Sequence, residues 1–325
     1  MIRRIRRSQF ALPLALCFMI ASLIFSINYT QAGTTAYDMV ISAGIPQIGN
    51  GDYTTTGNVF FVDSGHAARR DAANAGTYDK PFATLDYAIG RCTASNGDII
   101  FVAPGHAENI SSAAMITADV AGVRIVGLGI GANRPTFTWT NANASIIITA
   151  ANVSFENIVF DMSCTGGAYT GVSVSAADVR FIGNTVIVAD LTGHIGDAIY
   201  IDSDATRFLA SDNLITGLDY AASGVSSIFK PAAGATSLRL IRNDIAARTG
   251  NTPYALIDVR SKVTDFVVAD SNLYNFNSGA SAMAITDSVQ GYIKDTLVSY
   301  VNPNNTTGVT DYEARAAANY KHTSS

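Results

Sequence analysis

The chain has 325 residues, of which 48% are hydrophobic and 14% charged, with a formal net charge of −5 and three Cys. That length admits one large domain or two ordinary ones, and so few Cys exclude a disulfide-dense module. The acidic balance argues against nucleic acid as a partner, because phosphate binding needs a basic surface.

Arg3, Arg4, Arg6 and Arg7 open the chain, Phe10 to Ile27 is nearly all apolar, and Thr30-Gln-Ala32 offers small residues before Gly33. This is the layout of a secretory signal peptide over residues 1–32. The apolar run is also long enough for a membrane anchor. Export places the mature protein outside the cell or on its surface, with Gly33 as its first residue. A start at Met39 instead gives a product that needs no export, such as a phage virion protein. Without residues 1–32, which hold four Arg and no acid, the formal charge falls to −9. Cys17 leaves with the leader, so Cys92 and Cys164 remain, as one bridge or as two buried thiols.

Residues 33–57 lack a strong period and read as a lead-in arm. Asn58-Val-Phe-Phe-Val-Asp63 predicts a first strand, and a polar loop follows to Lys80. Thr84 stands at the N-cap position of a short helix that places Leu85, Ala88 and Ile89 on one face. Asn96-Gly97-Asp98 predicts a turn, and Ile99-Ile-Phe-Val102 a strand ended by Ala103-Pro-Gly105.

From Val123 onward one short apolar phrase recurs every 24 to 30 residues. Its copies begin at Val123, Val153, Val179, Phe208, Leu238, Val267 and, more weakly, Gly291. A period in the high twenties without helical patterning predicts a solenoid of β-coils, each burying its apolar side against its neighbours. An earlier strand precedes most copies, at 146–148, 172–174, 199–201, 255–259 and 283–285, so each coil is expected to carry two strands. Insertions at 163–169, 192–196, 218–225 and 248–253 are expected on one side of the solenoid. Asn184, Asn213, Asn243 and Asn272 share one repeat position and predict an internal Asn ladder at a bend that lacks ladder partners. The tail, 301–325, holds a loop at Asn302–Gly308 and a helix-prone stretch, Thr310 to Ala318. It reads as a cover for the last coil, a subunit contact or a frayed end.

The segments Phe61-Val-Asp-Ser-Gly65, Gly76-Thr-Tyr-Asp-Lys-Pro-Phe-Ala-Thr-Leu85 and Gly97-Asp-Ile-Ile-Phe-Val-Ala-Pro-Gly105 resemble the opening of parallel β-helix proteins of the pectin-lyase-like superfamily. The resemblance covers roughly residues 58–300. It implies an all-β, single right-handed parallel β-helix, with an N-terminal cap at 58–98 whose short helix plugs the solenoid. Asp86-Tyr-Ala-Ile-Gly90, Gly105-His-Ala-Glu108 and Gly127-Leu-Gly129…Asn133-Arg-Pro-Thr136 resemble a branch found among phage and bacterial proteins of unassigned role. Viral members are often trimeric, and that habit is the sole pointer to a homotrimer.

Enzymes of this superfamily cleave acidic polysaccharides, so their residue types were sought. A hydrolase needs two carboxylates at a defined separation. The candidates are Asp197, Asp202 and Asp204, with Arg207 and His194. However, Ala198 stands where a second Asp is wanted, Gly193-His-Ile195 lacks its second Gly, and Arg260-Ser-Lys262 falls at an ordinary turn. A lyase needs Ca²⁺ on clustered acids and a base. Asp197, Asp202, Asp204, Asp212 and Asp219 lie within two coils, with Arg207 near, but their spacing matches no Ca²⁺ loop. Asp at β-turns is expected in any case. His66, His106, His194 and His322 show no metal-ligand spacing, and His106 is read as ordering a loop. Trp139 and Phe137 alternate along a strand, serving packing or a subunit contact, or else stacking on a sugar. The expectation is a non-enzymatic surface or virion β-helix that contacts glycans or neighbouring proteins, without a cofactor. A polysaccharide lyase or hydrolase is the alternative.

Overall fold

The structure, a computed structural model, describes residues 39–42, 45–48, 53–164, 170–188, 194–217, 224–250, 254–259, 263–277, 280–285 and 291–300. The leader, the tail, Asp219 and Arg260-Ser-Lys262 lie outside the described residues.

Residues up to Thr54 form a unit of their own. In it Met39–Ser42 pairs antiparallel with Ile45–Ile48, which pairs with Tyr53–Thr54. The stretch read as an arm therefore holds a small sheet, consistent with its β-favouring Val40, Ile41, Ile45 and Ile48.

The rest is an all-β parallel solenoid fronted by one short helix, Leu85–Ile89. Three parallel sheets form its walls, with 9, 8 and 7 strands, called I, II and III here in the order the chain visits them. A representative coil runs Ser154–Glu156 in sheet I, Val159–Asp161 in sheet II and Thr170–Val174 in sheet III. Each coil thus carries three strands rather than two. The repeated phrase covers the sheet I strand and the bend after it, and the third strand, in sheet II, follows directly.

Register stacks like on like. In sheet I, Ile100, Ile125, Phe155, Phe181, Ala210, Leu240, Val268 and Ile293 form one interior column. Phe137, Phe160, Val186, Ile215, Ile245 and Leu273 do the same in sheet II. Phe155 and Phe181 stack at 5.4 Å between ring centroids, and Phe181 meets Phe208 at 5.9 Å. Burying a side chain of this size contributes roughly 1.5–3 kcal/mol, and the column supplies it coil by coil.

The two bends into and out of sheet I repeat a left-handed residue. From sheet III into I these are Gly122, Asn152, Asp178, Arg207, Ser237 and Asp265, and from I into II they are Asn157, Gly183, Asp212, Arg242, Asp270 and Asp295. Such backbone suits Gly, Asn and Asp, whose short side chains tolerate positive φ. It turns the chain sharply while the bend N–H still reaches the next coil, as Gly183 N does to the Ser211 carbonyl at 3.0 Å.

Immediately after the second bend comes the ladder. Asn184 Oδ1 accepts from Ile158 N, Asn213 Oδ1 from Asn184 N, and Asn243 Oδ1 from Asn213 N. The side-chain amides donate back to the carbonyls of Phe155, Phe181 and Ala210. Asn272 is not part of it. Asn272 pairs in register with Asp244 and is exposed, while Ser271 fills the ladder position and its Oγ accepts from Asn243 N at 3.1 Å. A one-residue offset in the repeat hid this, because Asp270-Ser-Asn272 offers three polar residues in succession.

Removing a buried bonding partner costs about 1–3 kcal/mol for each group left unsatisfied. Asn213→Ala is therefore expected to destabilise by about 2–4 kcal/mol in urea unfolding. Asn272→Ala should stay within about 0.5 kcal/mol of the parent, as exposed substitutions do. Equal losses at the two positions would contradict the assignment.

Candidate functional site

The candidate acids divide among separate corners. Asp197 sits early in the sheet III strand His194–Ile201, half-buried, where Ser227 Oγ donates to its Oδ1 at 2.5 Å. Asp202 ends that strand and accepts from its neighbour Ser203, through N at 2.6 Å and through Oγ at 3.2 Å. Asp202 lies five residues beyond Asp197 along the extended chain, about 16 Å at roughly 3.3 Å per residue. Paired glycosidase carboxylates lie about 5–9.5 Å apart, so these two do not form such a pair. Asp204 is exposed on the following turn. The backbone of His194 pairs with Gly224.

Arg207 and Asp212 occupy bend positions, and their charges are spent between coils. Arg207 donates through Nε and Nη2 to the two oxygens of Asp178 at 2.6 and 2.5 Å. Arg242 does likewise to Asp212, at 2.7 and 2.8 Å. Arg239 donates to both oxygens of Asp265. These hydrogen bonds hold Asp178, Asp212 and Asp265 below the ordinary carboxylate value. A general acid needs the opposite, a carboxyl raised toward neutral pH. Among the described residues no group of three or more His, Cys, Asp or Glu could hold a metal ion.

Trp139 and Phe137 are interior. They are 1% and 0% exposed, Phe137 stacks on Phe160, and Trp139 Nε1 donates to the Ala144 carbonyl. Neither ring offers a face to a sugar, so the stacking platform is replaced by core packing. In the strand Thr136–Trp139 the alternation runs half-buried, buried, half-buried, buried, which sends both rings inward.

The buried polar groups gather instead at the N-terminal end. Thr84 stands before the helix without capping it through its side chain, and its hydroxyl donates to Asp71. The first helical N–H, that of Leu85, donates to Glu108 Oε2 at 3.0 Å. Glu108 heads the interior column of sheet II and lies 3.3 Å from His106 Nε2. His106 Nδ1 accepts from Ser64 N at 2.9 Å, which leaves its proton on Nε2, facing Glu108. His106 thus orders the 63–65 segment, as its place after the first coil strand suggested.

Asp98, in the turn read at 96–98, is fully buried and takes four hydrogen bonds. Asn58 N and Thr93 N donate at 2.6 Å each, Asn96 Nδ2 at 2.7 Å and Asn58 Nδ2 at 3.2 Å. Burial alone would raise its carboxyl, yet these donors hold it below the ordinary value. Arg134, read only as part of a resemblance, donates to the carbonyls of Asn157, Ile158 and Gly183 and to Thr185 Oγ1. It clasps successive bends. No signal short of the folded register marks either residue as a fastener. Cys92 and Cys164 are not bridged to each other. Burial, with Asp98 adding to it, pushes the Cys92 thiol up to about 12.

Searches of family models, curated proteins and solved structures find no match to this chain.

A carboxyl whose folded-state value is depressed stabilises the fold above the ordinary Asp range, about 3.9, and that stabilisation is lost as pH falls through the folded value. Asp98→Asn should therefore lower stability near neutral pH by about 1–3 kcal/mol. It should also lose less on going from roughly pH 5 to pH 2 than the parent does. Urea midpoints across that range decide it, and an unchanged acid slope would contradict the role given to Asp98.

Proposed function

We propose that this chain is a non-enzymatic parallel β-helix of the pectin-lyase-like kind, serving as a surface or phage virion structural protein that contacts glycans. One observation carries the reading. Arg207 and Asp212 are engaged as bend residues in ion pairs from coil to coil, and Asp197 and Asp202 stand too far apart along one strand to act as a pair. A solenoid built this way is a stiff, repetitive wall, and its outward rows are what a partner meets. With Trp139 and Phe137 inside, the exposed sheet II positions Asn109, Asp244 and Asn272 are available to a glycan. Neighbouring virion or surface proteins, including two further copies in a trimer, are the other contacts this reading allows. It needs no cofactor, and the acidic surface does not suit nucleic acid.

Incubation with polyuronides and bacterial capsule should yield neither unsaturated products nor new reducing ends. Turnover that Asp197→Asn abolishes, in a variant that still folds, would replace this reading with the lyase or hydrolase one. Mass spectrometry of the natural N-terminus separates the two settings: Gly33 marks export, and Met39 a product that needs none.

A further inference from the structure

Asn96-Gly97 forms the turn beside the buried Asp98 carboxylate, and both residues are exposed and lie outside helix and strand. Asn96 Nδ2 donates to Asp98 Oδ1 at 2.7 Å, alongside the Asn58 and Thr93 N–H groups that donate to the same carboxylate at 2.6 Å each. This knot ties the turn to Asn58, from which the strand Val59–Val62 sets out. That strand is the outermost of sheet I at the front of the solenoid.

One member of the knot is chemically perishable. The side-chain amide of an Asn is open to attack at Cγ by the backbone nitrogen of the next residue, and glycine, without a Cβ, hinders that approach least. Among the described residues the Gly97 N–H donates to no acceptor, so its nitrogen has no bond to give up. Asn141 supplies a comparison within the chain. It is exposed as well, and among the described residues the Ala142 N–H is also unbonded, but Ala142 carries a Cβ.

We propose that Asn96-Gly97 is a self-modification site, a hydrolytic timer that needs only water and unties the Asp98 knot as the protein ages. Gly97 N loses its proton to solvent as it bonds to Asn96 Cγ. The Cγ–Nδ2 bond then breaks, and ammonia leaves with a proton taken from water. Water opens the resulting succinimide at either carbonyl, giving aspartate at position 96 or isoaspartate, in which the main chain runs through the side-chain carbon. Across the whole sequence a water is consumed and an ammonia released, with no change of oxidation state.

Both products fail at the same place. The former donor becomes a carboxylate facing Asp98, and two carboxylates sharing a buried site cannot both stay ionised without cost. Isoaspartate also lengthens the turn by a backbone carbon, and the turn has no slack. A Cβ at Gly57 would lie 2.5 Å from the Asn96 carbonyl oxygen and 2.7 Å from Asp98 Oδ1. Once the turn is displaced, Asn58 and Thr93 lose their acceptor, and the strand Val59–Val62 loses the anchor at its start.

Peptide mapping of the full-length protein through an incubation in warm, mildly alkaline buffer tests this. Asn96 should convert at least about ten-fold faster than Asn141, with isoaspartate among the products. In the aged protein the Asn58 and Thr93 amides should exchange with solvent at least about ten-fold faster than in the fresh protein, while those of Leu209–Ser211 stay as slow. Asn96→Asp should show the fast exchange from the outset. Asn96→Gln, whose longer side chain closes the ring far more slowly, should hold the exchange at Asn58 and Thr93 constant through the incubation. Conversion at Asn96 no faster than at Asn141 overturns the timer. Unchanged exchange at Asn58 and Thr93 in converted wild-type chains overturns it too, and that reading does not depend on how well a variant folds. None of these readouts involves a glycan, so they stand apart from the proposed function.

Discussion

Everything in this molecule follows from stacking parallel coils in register. Once each residue lies above its counterpart, whatever one coil does at a position the next coil must tolerate. An apolar residue becomes an apolar column, and a bend becomes a row of bends. Each strand supplies hydrogen-bonding groups on two sides, so the ladders satisfy the walls but not the corners. The corners are therefore where sequence is most constrained. Left-handed residues turn the chain, Asn amides bridge the carbonyls and N–H groups the bend strands, and Asp–Arg pairs bind adjacent bends. Two Arg at positive φ, Arg207 and Arg242, show how far this goes. Each accepts an unfavourable backbone while bound bidentately to the Asp one coil earlier. Both Arg side chains are exposed, where solvent screens an ion pair, so the interior columns remain the main source of stability.

The same logic explains which parts of the fold were legible before any coordinates. The spacing of the phrase, its alternating apolar residues and the capping helix with Leu85, Ala88 and Ile89 were readable, because burial imposes a period on them. The column through Ile125, Phe155, Phe181 and Leu240 is that period made physical. The third strand per coil was not readable. Val159–Asp161 follows Phe155 with only a two-residue bend between strands, and alternation alone does not reveal a change of direction. The offset of Asn272 had the same root, since a slip of one residue exchanges inside for outside.

The candidate site was less legible than the fold. Asp and Arg near one another in sequence suggest chemistry, yet here their proximity arises because bends recur at a fixed interval. Trp139 was ambiguous for a related reason: alternation shows that two rings share a face but not which face. The residues that fasten the N-terminal end, Asp98, Glu108 and His106, reach partners 23 to 42 residues away. Only folding brings them together. Their burial and their donors make them parts of a closure, and they complement the reading of the molecule as a wall rather than a catalyst.

Parallel register is the claim beneath all of this, and engineered cross-linking measures it directly. Arg180 and Leu209 are outward register partners in adjacent coils of sheet I. Neighbouring strands lie about 4.8 Å apart, within the range a disulfide bridges. A chain carrying Arg180→Cys and Leu209→Cys should form that bridge on mild oxidation, identified by peptide mapping, while Arg180→Cys with Ala210→Cys should not, because position 210 faces inward. Bridging in the second pair but not the first would mean that the coils do not stack as described.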